Sequence, residues 1–324
     1  TAQFYQSITE QVTEISMDTL FLELEINRSD DSICENWMLD DGVAHYGPWL
    51  RDVRMNKPHE LSDELEELLH QKSVTGRSAW SRLFDETMAD MRIPVEGEAE
   101  KLTLADTLDR LSDVDGSTRK KAAKALGKHL SGQVRLFALV TNTLAKDKEI
   151  EDRLRSYASP MASRNLANQV EDEVVNALVA AVRDAYPKLS HRYYGMKAKW
   201  FGVEKLDYWD RNAPLPQQGD QKFSWDQARS TVLEAYGSFE PSMAVIADDF
   251  FKHNWIDAGP RAGKDSGAFS HSTVPSVHPY ILMNFHGKAR DVMTLAHELG
   301  HGVHQVLAAP RGTLMADTPL TLAE

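Results

Sequence analysis

The segment TLAHELGHGVHQ (294–305) holds three histidines and one glutamate within eight positions, a combination that can bind a metal ion. His297, Glu298 and His301 match the pattern H-E-x-x-H. On an α-helix the two histidines lie about 40° apart around the axis and one turn apart along it, so both imidazoles can reach one zinc ion. Glu298 then lies beside the open coordination position, where a base is useful. The spacing predicts a catalytic zinc site with Glu298 as the catalytic residue.

The helix that must carry this motif also has an apolar side. Five apolar residues form one stripe opposite the histidines, and we expect a core to bury them. They are Leu295, Leu299, Val303, Val306 and Leu307. Gly300 and Gly302 each cost about 1 kcal/mol relative to alanine in a helix. They predict a neighbouring backbone that passes close to the helix, with the nearby strand as the candidate, and simple tolerance of glycine is the alternative.

Two histidines leave a catalytic zinc one protein ligand short, because such sites usually have three protein ligands and a water. The acidic residues that follow the motif are Asp317 and Glu324. Asp317 directly precedes a predicted helix start and has a structural role available there, whereas Glu324 falls on the second turn of that helix. We therefore predict that His297, His301 and Glu324 bind one zinc ion per chain.

Two further polar residues of the motif region have supporting roles. His304 lies about 20° from His297 around the helix axis but two turns along it. This position favours packing, or contact with a residue that binds the zinc, over direct binding of zinc by His304. Asp291 is expected to cap the start of the motif helix. A hydrogen bond from Asp291 to a residue that binds the zinc is the alternative.

A small β element is predicted directly before the motif helix. The runs SGAFSHS (266–272) and YILMNF (280–285) are short, and the second is rich in β-prone residues, which indicates two strands. An extended peptide could pair with either strand, and a plain core hairpin explains the pattern equally well. The residues that would bind such a peptide are Gly267, Ala268, Phe269 and Tyr280.

Amphipathic helical patterns dominate the rest of the chain. One helix begins at the capping box formed by Ser224 and Gln227, and Gly237 is placed to end it. The loop DRNAPLPQQGDQ (210–221) is the predicted boundary between two regions. Residues 1–210 form a helical region, and residues 211–324 form a catalytic region with the β element and the motif helix.

The composition restricts the partners and the location of the protein. The chain has 324 residues, a formal net charge of −13 and 42% hydrophobic residues, as in a soluble globular protein. The negative charge argues against nucleic-acid and anionic-membrane partners, and no apolar run approaches the roughly 20 residues that cross a bilayer. The single cysteine, Cys34, cannot form an internal disulfide, and the N-terminus has no signal-peptide pattern. These features predict a cytoplasmic location.

Four segments taken together resemble the oligoendopeptidase F branch of the M3 (thimet oligopeptidase-like) zinc metallopeptidases. They are GAFS (267–270), HPYILMNF (278–285), DVMTLAHELGHGVHQ (291–305) and PLTLAE (319–324). The resemblance implies a mainly α fold, an elongated helical bowl with a deep channel of the zincin-like neurolysin and oligoendopeptidase F type. It implies that His297, His301 and Glu324 bind zinc, that Glu298 is the general base, and that short unstructured peptides are cleaved internally.

The resemblance also bears on the extent of the chain. Members of this family are longer at both ends, and this chain begins inside a helical pattern and ends in the first turns of another. We therefore expect a fragment truncated at both ends. Two alternatives are open: a companion C-terminal segment completes its active site, or the intact, longer protein is the enzyme.

Two other functions are compatible with the pattern. A zinc carboxypeptidase on a related helical fold would remove residues from peptide ends, and only an endopeptidase cuts a peptide blocked at both ends. A non-catalytic, helical peptide-binding protein would keep the fold without the chemistry.

Overall fold

The computed structural model describes residues 2–216 and 221–324, and within them the fold is mainly helical with one small sheet. The helices are α1 (Ala2–Arg28), α2 (Asp31–Trp37), α3 (Asp41–Ala44), α4 (Gly47–Met55), α5 (Asp63–Lys72), α6 (Arg77–Ala89), α7 (Leu104–Arg110), α8 (Gly116–Gly132), α9 (Val134–Leu154), α10 (Ala162–Ala167), α11 (Asp172–Ala185), α12 (Ser190–Trp200), α13 (Trp225–Phe239), α14 (Pro241–Lys252), α15 (Ala289–Ala308) and α16 (Leu320–Ala323). The strands are β1 (Ile256–Asp257), β2 (Phe269–His271) and β3 (Tyr280–Leu282). Over the described ranges, no helix is both long and apolar enough to cross a membrane.

The chain forms two compact units, each built from discontinuous segments. The first contains Thr1–Phe84, Arg135–Val179 and Asp317–Glu324, and the second contains Asp85–Val134 and Ala180–Ala316. The boundary that the sequence indicates between residues 210 and 211 falls inside the second unit. Residues 217–220 of that predicted boundary loop lie outside the described residues.

The first unit packs α1 against α4 and α5. Its buried core includes Ile26, Leu50 and Val53, with tryptophan and methionine side chains packed around them. Arg155 donates two hydrogen bonds to the carboxylate of Glu66, at 2.6 and 2.9 Å, and this ion pair links the end of α9 to α5.

The second unit buries one side of the motif helix in a hydrophobic core. Helices α13 and α14 pack against each other, and both pack against α15. Ser224 and Gln227 form the predicted capping box at the start of α13. The prediction that Gly237 ends this helix is wrong: α13 continues to Phe239, and Gly237 instead allows close packing on α14, 3.7 Å from the Ala244 side chain.

The sheet has three strands in the order β1-β3-β2, not the two that the sequence predicts. Strand β3 pairs with β1 in parallel and with β2 in the antiparallel sense. The sequence pattern misses β1 because two residues are too few to show the alternation typical of a strand. Ile281 and Met283 project from the central segment into the core that also buries α15.

Candidate metal centre

The motif helix α15 is positioned by its apolar side, largely as the helical period predicts. Leu295 and Leu299 are fully buried and Val303 is nearly so. The expected burial of Leu307 is wrong, because this side chain is 60% exposed. Leu307 lies at the edge of the predicted stripe, about 80° around the axis from Leu299, whereas Val306, directly opposite His297, packs against the core.

Close packing beside the motif explains one of its two glycines. A Cβ at Gly302 would lie 2.6 Å from the ring edge of Phe250, a fully buried residue of α14. The neighbour is therefore an aromatic side chain and not the backbone of the strand, which corrects the sequence-based expectation. A Cβ at Gly300 would lie 3.4 Å from the hydroxyl of Tyr236, which donates a hydrogen bond to the backbone oxygen of Ala296 in α15.

The start of α15 is fixed from both sides. The Asp291 carboxylate accepts hydrogen bonds from the backbone nitrogens of His286 and Lys288, each at 2.9 Å, so Asp291 caps the helix as predicted. The Lys288 ammonium group donates to the backbone oxygen of Asp109 at 2.7 Å. Gly287 has a φ of +84°, and a Cβ there would meet the Phe223 oxygen at 2.9 Å, so both its conformation and its surroundings require glycine.

The two motif histidines direct their side chains to one place. Their Nε2 atoms lie 3.0 Å apart, and their ring centroids lie 4.5 Å apart at an interplanar angle of 83°. His297 is exposed and His301 is half-buried. Two nitrogens at this separation can both lie about 2.0–2.1 Å from a single zinc ion, so the donor pair fits the metal that the sequence implies.

The other predicted site residues lie in different surroundings. Glu298 is buried, at 6% exposure, although the sequence places it on the same side of the helix as the histidines. A buried carboxylate is costly without compensation, so packing alone does not favour this residue type here. His304 is exposed on α15, and Glu324 directly follows α16 in the first unit. Their roles as a supporting residue and a ligand stay predictions.

The residues expected to bind peptide lie on or beside the sheet. Phe269 belongs to β2 and Tyr280 to β3, and both side chains are about half exposed. Gly267 has a φ of +95° just before β2, and its backbone oxygen accepts a hydrogen bond from Asn284 Nδ2 at 3.1 Å. Ala268, between Gly267 and Phe269, is half-buried.

One contact of β2 with the motif helix was not predicted from the sequence. Ser270 Oγ donates to Gln305 Oε1 at 2.8 Å, and Gln305 Nε2 donates to the Ser270 backbone oxygen at 3.3 Å. Gln305 follows His301 by one helical turn. No local pattern could reveal this pair, because 35 residues separate its members.

Comparison with known proteins identifies the family. A profile described as "Peptidase family M3" matches residues 111–324, and one described as "Oligopeptidase F" matches residues 25–93. The chain belongs to peptidase family M3. This family consists of zinc metallopeptidases.

Individual M3 relatives are similar over nearly the whole chain. Oligopeptidase PepF of Bacillus subtilis is 25% identical over 310 residues, which cover 93% of this chain and 46% of that protein. Group B oligopeptidase PepB of Streptococcus agalactiae is 28% identical over 307 residues, covering 93% and 51%. The structure of PZ peptidase A with an inhibitor has the same fold, with a TM-score of 0.75 and 18% identity, covering 96% of this chain and 53% of that one. The chain spans about half the length of the curated relatives it matches.

Proposed function

We propose that this protein is a zinc-dependent endopeptidase that hydrolyses short, unstructured peptides. The observation that carries the proposal is the 3.0 Å separation of the His297 and His301 Nε2 atoms on a helix braced by the core of the second unit. Membership of a peptidase family supports the reaction class, and the curated oligopeptidases among its relatives support short peptides as substrates.

His297, His301 and Glu324 would hold the zinc ion in this proposal. Two imidazoles and one carboxylate form a usual ligand set for catalytic zinc and leave one position open for water. Glu324 supplies the carboxylate because it follows the motif, and the family match extends to this residue. One ion per chain is expected.

Glu298 transfers a proton in the proposed reaction. When bound, zinc would polarise the peptide carbonyl and lower the pKa of a water molecule to about 7. The Glu298 carboxylate accepts a proton from the water whose oxygen attacks the carbonyl carbon. It then delivers that proton to the amine nitrogen as the C–N bond breaks. The burial of Glu298 shields the transferred proton from bulk water.

The substrate would bind as an added strand on the sheet. Strand β2 lies at an edge of the order β1-β3-β2, so one side of its backbone can pair with an extended peptide. The exposed Phe269 and Tyr280 would contact the peptide's side chains. The resemblance to M3 peptidases implies a deep channel, which folded proteins would not enter.

A peptide blocked at both ends and carrying a fluorophore–quencher pair tests the proposal. Because this chain spans about half the length of its relatives, the assay combines it with the companion C-terminal segment that the resemblance implies. The zinc-loaded protein should then cut the peptide internally. Glu298→Gln should lower the rate by about 100- to 10,000-fold, as expected for loss of a general base, while zinc stays bound. Glu234→Gln, at an exposed position of α13, is the matched control and should keep the wild-type rate.

Three outcomes contradict this function. Equal hydrolysis by the wild type and Glu298→Gln would remove the proposed base. Cleavage restricted to peptides with a free C-terminus would indicate a carboxypeptidase. Binding of the peptide without hydrolysis by the zinc-loaded wild type would indicate a non-catalytic peptide-binding protein.

A further inference from the structure

In β2, the backbone N–H and C=O groups of successive residues point alternately toward β3 and toward the open edge of the sheet. The hydrogen bonds of β3 show which residues of β2 point in each direction. Ile281 and Met283 donate their backbone N–H groups to Trp255 and Asp257, on the β1 side. Tyr280 and Leu282 therefore direct their backbone groups toward β2. Their partners there are His271 and Phe269.

Ser270 consequently faces the open edge. It lies opposite Ile281, whose backbone groups are directed toward β1, so the pair exchanges no hydrogen bonds and the Ser270 N–H and C=O groups are directed away from β3. The same alternation directs the backbone groups of Ala268 and Ser272 outward. Gly267 agrees with this alternation, since its backbone oxygen is directed inward and accepts a hydrogen bond from Nδ2 of Asn284, two residues after β3.

Two of the three outward carbonyls already accept hydrogen bonds from within the chain. Gln305 Nε2 donates to Ser270 O, and the Ser270 hydroxyl holds the Gln305 side chain in place. The Thr273 hydroxyl donates to Ser272 O at 2.6 Å. Among hydrogen bonds of residues 2–216 and 221–324, none is donated to the oxygen of Ala268.

We propose that Gln305 is a register stop, a side chain that keeps a bound peptide strand from pairing with β2 two residues further along. Its amide occupies the open edge at Ser270, so an added strand pairs with Ala268 and cannot slide toward His271. Because Gln305 lies on the motif helix one turn beyond His301, the same side chain fixes β2 relative to the two histidines. A peptide that pairs at Ala268 is presented to the metal centre mainly in one register and is cut mainly at one bond. This proposal rests on the endopeptidase function proposed above.

Gln305→Met tests the stop, because methionine keeps the length and helix propensity of the side chain but cannot donate to Ser270 O. Strand pairing repeats every two residues, so release of Ser270 should increase a second cleavage that lies two residues from the main one. The share of the second product should rise about fivefold, the effect of one hydrogen bond. Mass spectrometry of the products from a blocked, proline-free peptide measures this share. Leu307→Met, an exposed position of the same helix, is the matched control and should give the wild-type pattern.

Hydrogen exchange of backbone amides, followed by NMR with the same peptide in the Glu298→Gln background, does not depend on cleavage. The peptide should protect the Ala268 amide but not the Ser270 amide when Gln305 is present, and both amides in Gln305→Met. An unchanged exchange and product pattern in a folded Gln305→Met protein would overturn the register stop, as would absence of protection at Ala268. Absence of cleavage together with the expected protection would reject the endopeptidase function alone.

Discussion

The replacement Gly302→Ala should destabilise the second unit, although alanine is the better helix former. The added methyl group would lie 2.6 and 2.9 Å from two atoms of the Phe250 ring, where ordinary contacts begin at 3.4 Å. The ring is fully buried and packs edge-on against Trp255, with centroids 5.2 Å apart, so it cannot move aside freely.

The magnitude follows from two opposing contributions. Overpacking a core by one methyl group costs about 1–3 kcal/mol, and replacing a helical glycine with alanine contributes about 1 kcal/mol in the other direction. The free energy of unfolding should therefore fall by about 0–2 kcal/mol. Gly127→Ala is the matched control, since Gly127 lies in α8 of the same unit and its Cβ would meet nothing within 4 Å. This variant should gain about 1 kcal/mol.

Urea unfolding followed by circular dichroism measures both variants. The unfolding free energies of Gly302→Ala and Gly127→Ala should differ by about 1–3 kcal/mol. Because His301 is adjacent to Gly302, the same displacement should weaken zinc binding in Gly302→Ala and leave it unchanged in Gly127→Ala. Equal stabilisation by the two substitutions would refute the close contact with Phe250.

Two further predictions concern the elements around the motif helix. Asp291→Ala removes the acceptor for the backbone N–H groups of His286 and Lys288. The free energy of unfolding should fall by about 1–2 kcal/mol in the same urea assay. An unchanged free energy of unfolding would contradict the role of Asp291 as the helix cap. The hydrogen bond from Arg261, together with Lys264, lowers the pKa of Asp257 from 3.8 to about 2. Because the folded pKa lies below the unfolded one, this stabilisation is present above pH 3.8 and is lost as the pH falls through about 2. Thermal melts between these pH values should therefore show a smaller drop in Tm for Asp257→Asn than for the wild type, and equal drops would contradict the assigned pKa.

Features that repeat along one helix could be predicted from the sequence. The spacing of His297 and His301 fixes their shared direction, because helical geometry alone places positions four apart on one face. The burial of Leu295 and Leu299 follows from the same period. Leu307 lies about 80° from Leu299 around the axis, at the edge of the apolar stripe, and is exposed.

Features that depend on contact between distant segments could not be predicted. Strand β1 forms only because β3 supplies its partner, and its two residues carry no pattern of their own. The glycine at position 302 within a helix predicts a close neighbour, but only the tertiary structure shows that this neighbour is Phe250. The pairing of Ser270 with Gln305 likewise depends on how the sheet meets the helix.

The zinc content of the purified protein tests the metal centre most directly. After dialysis against a low concentration of zinc, elemental analysis should find about one ion per wild-type chain, as expected for a single three-ligand site. His297→Ala should lose nearly all of it, because one of the two facing Nε2 atoms is removed, while Glu298→Gln should retain it. A wild-type protein without zinc, or a His297→Ala variant that keeps a full equivalent, would contradict the assignment of this helix as a metal centre.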